Sequence, residues 1–322
     1  MQTDIWVLAD NRTGTAAQAK SLAELLGMSF EVKNLKYNFL ALLPNFLLRS
    51  TFIHINKKLS SGLLDEPLPK MIISAGRRTA PVALALKALD PTIRVVQIMR
   101  PDLDPNKFDL IILPQHDRFS ASPNTLRVIG ALHNVEDKIK AAKEGFAPNH
   151  PTMQNFIAVL IGGNAKKYKF STPNAAELAS RLTTISANHG LLLFISFSRR
   201  TPEAVKAVMR EFFPWPHILY DPITSTDPNP YFGLLASASF IVTTCDSISM
   251  CSEAAASGKP LYIYCPDKAD MPKHRYFLQQ LIDLQIARKL TQDREVLESY
   301  TYAPFNETRK AADFIRANIM RL

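Results

Sequence analysis

Short apolar runs rich in Ile, Val and Leu alternate with helix-length stretches along nearly the whole chain. In the first half Ile5–Ala9, Phe30–Val32, Met71–Ser74, Val95–Ile98, Leu110–Leu113 and Leu126–Val128 read as strands. Ala16–Leu26, part of Leu40–Leu59, Ala80–Leu89 and Val135–Gly145 read as helices between them. Continuous apolar runs are what parallel strands buried on both faces require. The rhythm breaks at Phe146–Gln154, FAPNHPTMQ, which has two prolines and no periodicity and reads as a linker. It then restarts with strands at Phe156–Ile161, Leu191–Phe197, His217–Leu219, Phe240–Thr243 and Leu261–Tyr264. The expectation is two doubly wound, Rossmann-like α/β domains facing a cleft, 1–148 and 155–322. The last helix, Glu307–Ile319, is expected to pack back on the N-terminal domain. A chain of 322 residues has room for both cores. Ligands of such folds sit at the carboxyl ends of the strands.

Charge and composition narrow the function. The net charge of +9 favours anionic partners. The basic pairs, such as Lys57-Lys58, Arg77-Arg78 and Arg199-Arg200, are scattered and not interleaved with aromatics, so a nucleic-acid groove is not expected. No apolar run approaches about 18 residues, which argues against a membrane-spanning helix. Cys245, Cys251 and Cys265 have no CxxC spacing, which argues against zinc and for a reducing compartment. A cytoplasmic protein is expected.

The strand ends carry the candidate chemistry. Phe240–Tyr264 reads strand, polar turn, helix, strand, with hydroxyls and backbone N–H groups of the turn placed to hold a phosphate. Ser247, Ser249 and Glu253 follow, and the carboxylate of Glu253 is spaced to reach a ribose, on the same helix face as Asp246 and Ser249. Gly162 and Gly163 end an earlier strand and would let a ligand approach the backbone. Ser198, Arg199 and Arg200 precede Pro202 at a helix start, an arrangement suited to a diphosphate. Asn229 and Tyr231 lie before another helix and could pack against a base. In the first half Asp10, Arg12, Gly14 and Gln18 converge on one strand end. Arg77 follows a second, and His116 beside Asp117 follows a third. Asp10 or His116 is the expected general base, with Arg12, Gly14, Gln18 and Arg77 on the acceptor side. Asp102-Leu103-Asp104 is flanked by prolines and reads as a turn, with no metal site expected. His274 opens a late helix as a further candidate cation.

Several of these pieces resemble known families. Ile161-Gly162-Gly163, the Ser/Arg loop and SMCSEAAASGKP (Ser249–Pro260) are similar to the donor domain of GT-B glycosyltransferases of the MurG type. DNRTGTAAQ (Asp10–Gln18), SAGRRTAP (Ser74–Pro81), FDLIILPQHD (Phe108–Asp117), SRRTP (Ser198–Pro202), NPY (Asn229–Tyr231) and TCDSISMCSEAAASGKP (Thr244–Pro260) resemble the elongated-mitochondria (Elm) fission-factor family of plants and its bacterial relatives. The resemblance implies GT-B architecture and a nucleotide-sugar as substrate, with no cofactor and with Glu253 on the ribose. The expected activity is metal-independent sugar transfer to a cell-envelope acceptor. The alternatives are a nucleotide-binding, membrane-associated scaffold without turnover and a sugar-nucleotide epimerase or hydrolase of the same fold. Phe39–Arg49, FLALLPNFLLR, is apolar on nearly every face. It reads either as a buried helix or as a contact with an anionic membrane, or with a lipid-linked acceptor, on the inner face.

Overall fold

The computed structural model describes residues 3–60, 63, 66–117, 122–149, 155–165, 168–213, 217–266 and 270–320. In chain order the first elements are β1 (Ile5–Ala9), α1 (Thr13–Leu26), β2 (Phe30–Asn34), α2 (Asn45–Leu48), β3 (Met71–Ala75), α3 (Ala80–Leu89), β4 (Arg94–Ile98), β5 (Leu110–Pro114) and β6 (Thr125–Val128). They are followed by α4 (Glu136–Asn149), β7 (Phe156–Ile161), α5 (Thr172–His189), β8 (Leu192–Phe197), α6 (Glu203–Phe212), β9 (His217–Tyr220) and α7 (Tyr231–Ser237). The chain closes with β10 (Phe240–Thr244), α8 (Ile248–Ala255), β11 (Leu261–Tyr264), α9 (Pro272–Asp283), β12 (Ala287–Lys289) and α10 (Glu307–Asn318).

By packing, the chain divides into Met1–Asn134 with Asn306–Leu322, and Val135–Phe305. The division therefore precedes α4, whereas the sequence suggested a linker at 146–154. Residues 146–149 lie inside α4, and 150–154 fall outside the described residues. Phe146 is buried against the rings of Phe156 and Phe194, with centroids 5.8 and 6.3 Å away. A Cβ on Gly233 of α7 would stand 2.2 Å from the Phe146 ring, so only glycine there lets the ring pack so closely. Pro148, read as a breaker, lies in the last turn of a helix whose Phe146 is anchored in the second core, and Pro151 falls outside the described residues.

In the first unit six strands pair in parallel in the order β2-β1-β3-β4-β5-β6. Ile5, Val7, Met71, Ile73, Val96, Ile98, Leu110 and Ile112 bury one face against α1 and α10. Trp6, Leu8, Ile72, Val95 and Ile111 bury the other against α3. Both faces are dry, which accounts for the unbroken apolar runs. The last helix belongs to this unit through Ala311, Ala312 and Ile315.

The second unit repeats the plan as β12-β11-β10-β7-β8-β9, again all parallel. Strand order reverses between β1 and β3 in the first sheet and between β7 and β10 in the second. Such switch points open a crevice at the carboxyl ends of the strands.

Candidate functional site

The crevice between β7 and β10 is bridged by one carboxylate. Asp246, just after β10, has no exposed side-chain surface. It accepts hydrogen bonds from the Gly163 N–H at 2.8 Å and the Thr244 hydroxyl at 2.6 Å. An Arg200 guanidinium nitrogen lies 3.2 Å from it. Thr244 in turn accepts from the Gly162 N–H at 2.8 Å. A Cβ on Gly162 would fall 2.2 Å from an Asp246 oxygen, and one on Gly163 would fall 2.1 Å from the Arg200 carbonyl. The paired glycines therefore admit this internal carboxylate and the neighbouring loop, not a ligand as their position suggested. Asp246 also does not share a face with Glu253, because it precedes the helix and turns back toward β7.

The other polar groups of this crevice divide into braces and free faces. Ser247 caps α8 by accepting from the Met250 N–H at 3.3 Å. Ser249 lies in the first turn of α8, partly exposed. In the loop after β8, Ser198 Oγ accepts from the Arg200 N–H at 3.1 Å, and Thr201 donates to the Gly162 carbonyl. Arg200 also donates to the Asn164 carbonyl at 2.9 Å, so it braces two loops. Arg199 is exposed and lines a cavity of about 190 Å³ together with Ser198, Asn229, Tyr231 and Met250. His274 is in the first turn of α9, where burial lowers its pKa, so it adds little positive charge at neutral pH.

Beside that cavity the fold joins two residues singled out in the sequence. The Tyr231 hydroxyl donates to Glu253 Oε2 at 2.7 Å. Asn229 accepts from the Tyr231 N–H at 3.0 Å and so fixes the start of α7. Burial raises the Glu253 carboxyl above its ordinary range, with the Tyr231 bond and the charge of Lys138 holding it back. Burial and the neighbouring carboxylate raise the Tyr231 phenol well above its own. The pair joins the cavity-lining Tyr231 to a largely buried carboxylate, with one Glu253 oxygen held by the phenol.

The first sheet brings together a different set from the one expected. At its switch point Asp10 accepts from the Arg12 N–H at 2.9 Å, and burial raises its pKa against the charges of Arg12 and Arg78. Arg78, not Arg77, reaches Asn11, at 3.3 Å, and lies over the Tyr37 ring at 5.6 Å. Arg77 donates instead to the Ala41 and Leu43 carbonyls. Gln18 is buried, donating to the Gly14 carbonyl and accepting from the Leu132 N–H at 3.2 Å, so it ties α1 to the chain beyond β6. Gly14 sits within α1 with open space about its Cα and needs no left-handed backbone. The left-handed turn falls at Gly76, with φ +80°. His116 follows β5, three strands from β1. At about 4.8 Å per strand that is roughly 14 Å, so it and Asp10 serve no common atom. Arg78 was missed because nothing in a tandem arginine pair tells which side chain turns inward.

Among the described residues no cluster of three or more His, Cys, Asp or Glu could hold a metal ion. Asp102 pairs with Arg100, and Asp104 accepts from the Asn106 N–H at 3.0 Å. Cys245, Cys251 and Cys265 are buried and not joined in disulfides. No helix among the described residues is long and apolar enough to cross a membrane.

Two consecutive doubly wound units, each a six-stranded parallel sheet, define a protein of the GT-B fold. The solved structures agree. The UDP-GlcNAc 2-epimerase of Methanocaldococcus jannaschii superposes with a TM-score of 0.62 at 12% identity, over 97% of this chain and 98% of that one. That of Neisseria meningitidis, solved with UDP-GlcNAc bound, gives 0.56 at 13% identity over the whole of both chains. MurG of Acinetobacter baumannii gives 0.50 at 14% identity, over 99% and 91%. At these identities the likeness is one of fold.

Sequence places the chain more narrowly. The family model for mitochondrial fission ELM1 matches residues 13–319, and the chain belongs to that family. The uncharacterized protein RP120 of Rickettsia prowazekii is 41% identical over 97% of this chain and 98% of its own length. The mitochondrial fission protein ELM1 of Arabidopsis thaliana is 29% identical over 78% of this chain, which spans 64% of the plant protein.

Proposed function

We propose that the C-terminal unit binds a nucleoside-diphosphate sugar and that the protein transfers the sugar to a cell-envelope acceptor, lipid-linked in the full form of the proposal. The Tyr231–Glu253 pair beside the cavity lined by Ser198 and Arg199 carries this reading. In it, Glu253 accepts from the ribose hydroxyls through the oxygen not bonded to Tyr231. Arg199, Ser198 and the first turn of α8, with Ser247 and Ser249, offset the charge that grows on the departing diphosphate. Asp10, whose burial raises its pKa, is the candidate base of the N-terminal unit. Because structural neighbours are described with UDP-GlcNAc or UDP, uridine nucleotides are the first ligands to try.

One observation favours a second reading, nucleotide binding without turnover. Of the acceptor-side candidates, Gln18 and Arg77 are held in internal bonds. A thermal-shift screen of nucleotides and nucleotide sugars comes first, since a ligand that binds only the folded state raises the melting temperature. Proton NMR of any UDP-sugar that binds, with and without an added lipid-linked acceptor, then separates the readings. Transfer or hydrolysis releases UDP, epimerisation changes the sugar, and a scaffold leaves it intact. No shift with any nucleotide would refute both readings.

A further inference from the structure

The segment between β2 and β3 turns an apolar surface outward and holds it there. Phe39, Leu42, Phe46, Leu47, Ile53 and Leu59 are 79, 77, 68, 54, 54 and 66% exposed. They are six of the fourteen exposed large apolar side chains among the described residues, gathered within positions 39–59. The buried-helix reading of Phe39–Arg49 is thereby corrected, since a short 3₁₀ turn and α2 bury only Ala41, Asn45 and Leu48.

Internal polar bonds fix this presentation. Asn45 is buried and donates to the Arg77 carbonyl at 2.7 Å and the Pro101 carbonyl at 2.6 Å. Arg77 grips the Ala41 and Leu43 carbonyls from below, and Asn38 donates to the Ile53 carbonyl at 2.7 Å. Beside the apolar side chains opens a cavity of about 890 Å³. Arg49, Arg77, Arg100 and Lys107 line it, against Asp102 and Asp104, four cations to two acids. Arg49 and Asp102 both hold left-handed backbone, with φ of 49° and 52°, which residues other than glycine rarely adopt.

We infer that this face docks on an anionic phospholipid bilayer, with Phe39, Leu42, Phe46 and Leu47 entering the acyl boundary and a lipid phosphate seated between Arg49 and Lys107, since Arg100 is already paired with Asp102. Charge complementarity selects this occupant. A second copy of the chain would bring the same excess of cations against itself, on a molecule already carrying +9. A neutral apolar partner would bring no counter-charge to the excess of cations over acids in the cavity lining. The inference deepens the lipid-linked part of the proposed function. Its test contains no nucleotide, so its failure would leave the nucleotide reading standing.

The test is flotation of the full chain with vesicles of phosphatidylcholine alone, or of phosphatidylcholine containing about a third phosphatidylglycerol. The wild type should bind the anionic vesicles at least about tenfold more tightly than the neutral ones, and less tightly as salt rises. The double variant Phe46→Asp with Leu47→Asp should lose about tenfold or more in affinity. Arg49→Glu with Lys107→Glu should lose a similar factor, at about fivefold for each cation removed. Both variants change exposed side chains, and circular dichroism checks that they fold. Glu253→Ala should bind vesicles like the wild type. Equal affinity for both vesicle types, no binding to either, or indifference to both double variants would overturn the inference. So would a dimer on size exclusion that the Phe46/Leu47 variant dissolves.

Discussion

Replacing Asp246 by alanine tests how the second sheet closes its crevice. The side chain is fully buried and accepts from Gly163 at 2.8 Å, Thr244 at 2.6 Å and Arg200 at 3.2 Å. A hydrogen bond to a charged group contributes about 1.5–3 kcal/mol, and orphaned interior donors add to the loss. Arg200 is 45% exposed, so its contribution is screened and small. The two interior bonds then set an expected loss of about 3–6 kcal/mol, enough to leave a domain of ordinary stability marginal. Gly162→Ala alone puts a methyl group 2.2 Å from an Asp246 oxygen. It should cost about 1–3 kcal/mol by overpacking. With Asp246→Ala already present that oxygen is gone, so the double variant should be more stable than the sum predicts by about 1 kcal/mol or more. Urea unfolding measures the totals, and hydrogen exchange locates them. β7, β8 and β10 should lose protection while β1, β3 and β4 keep theirs. A loss below about 1 kcal/mol for Asp246→Ala, or strictly additive effects, would refute the reasoning.

Three further outcomes follow from the packing. Burial raises the Glu253 pKa, so the folded state disfavours its ionised form above the ordinary carboxylate range and not below it. Glu253→Gln should therefore raise the melting temperature near about pH 8 and leave it unchanged near about pH 4. Leu48→Ala should cost about 2–5 kcal/mol because the side chain is 1% exposed, whereas Phe46→Asp should stay within about 0.5 kcal/mol of wild type; chemical unfolding reads both. Lys206 is buried 2.8 Å from Asp221. Burial pushes the Asp221 pKa up, but the bonds from Lys206 and the Ile223 N–H and the charges of Lys206 and Arg210 together outweigh it, and the net shift is downward. The stability tied to this shift is present above the ordinary Asp range and lost as pH falls through the depressed pKa. Lys206→Met should cost about 3–5 kcal/mol at neutral pH and less toward about pH 3, as unfolding curves across pH would record.

The strands were legible because most are buried on both faces, and β1 and β7 fall where their apolar runs ended. β12 was not, since Ala287-Arg288-Lys289 is a short edge strand with two charged, partly exposed side chains. Tyr231 and Glu253 could each be picked out by type and position, but their bond spans 22 residues and needed the fold. Asp246 was misassigned for the same reason. Its partners at Gly163 and Arg200 lie 83 and 46 residues away, and local spacing suggested only a helix face. Hydrophobicity revealed that 39–49 was unusual but not which way it faced. Its orientation depends on Asn45 and Arg77, whose bonds reach across the first unit.

Isothermal titration of UDP into the wild type and into Glu253→Ala tests the central claim most directly. The account predicts saturable binding to the wild type, weakened about 10- to 100-fold in the variant as charge-assisted bonds to the ribose are lost, with the fold intact by circular dichroism. Equal affinity in the two proteins, or no binding to the wild type of UDP or any other nucleoside diphosphate, would contradict it.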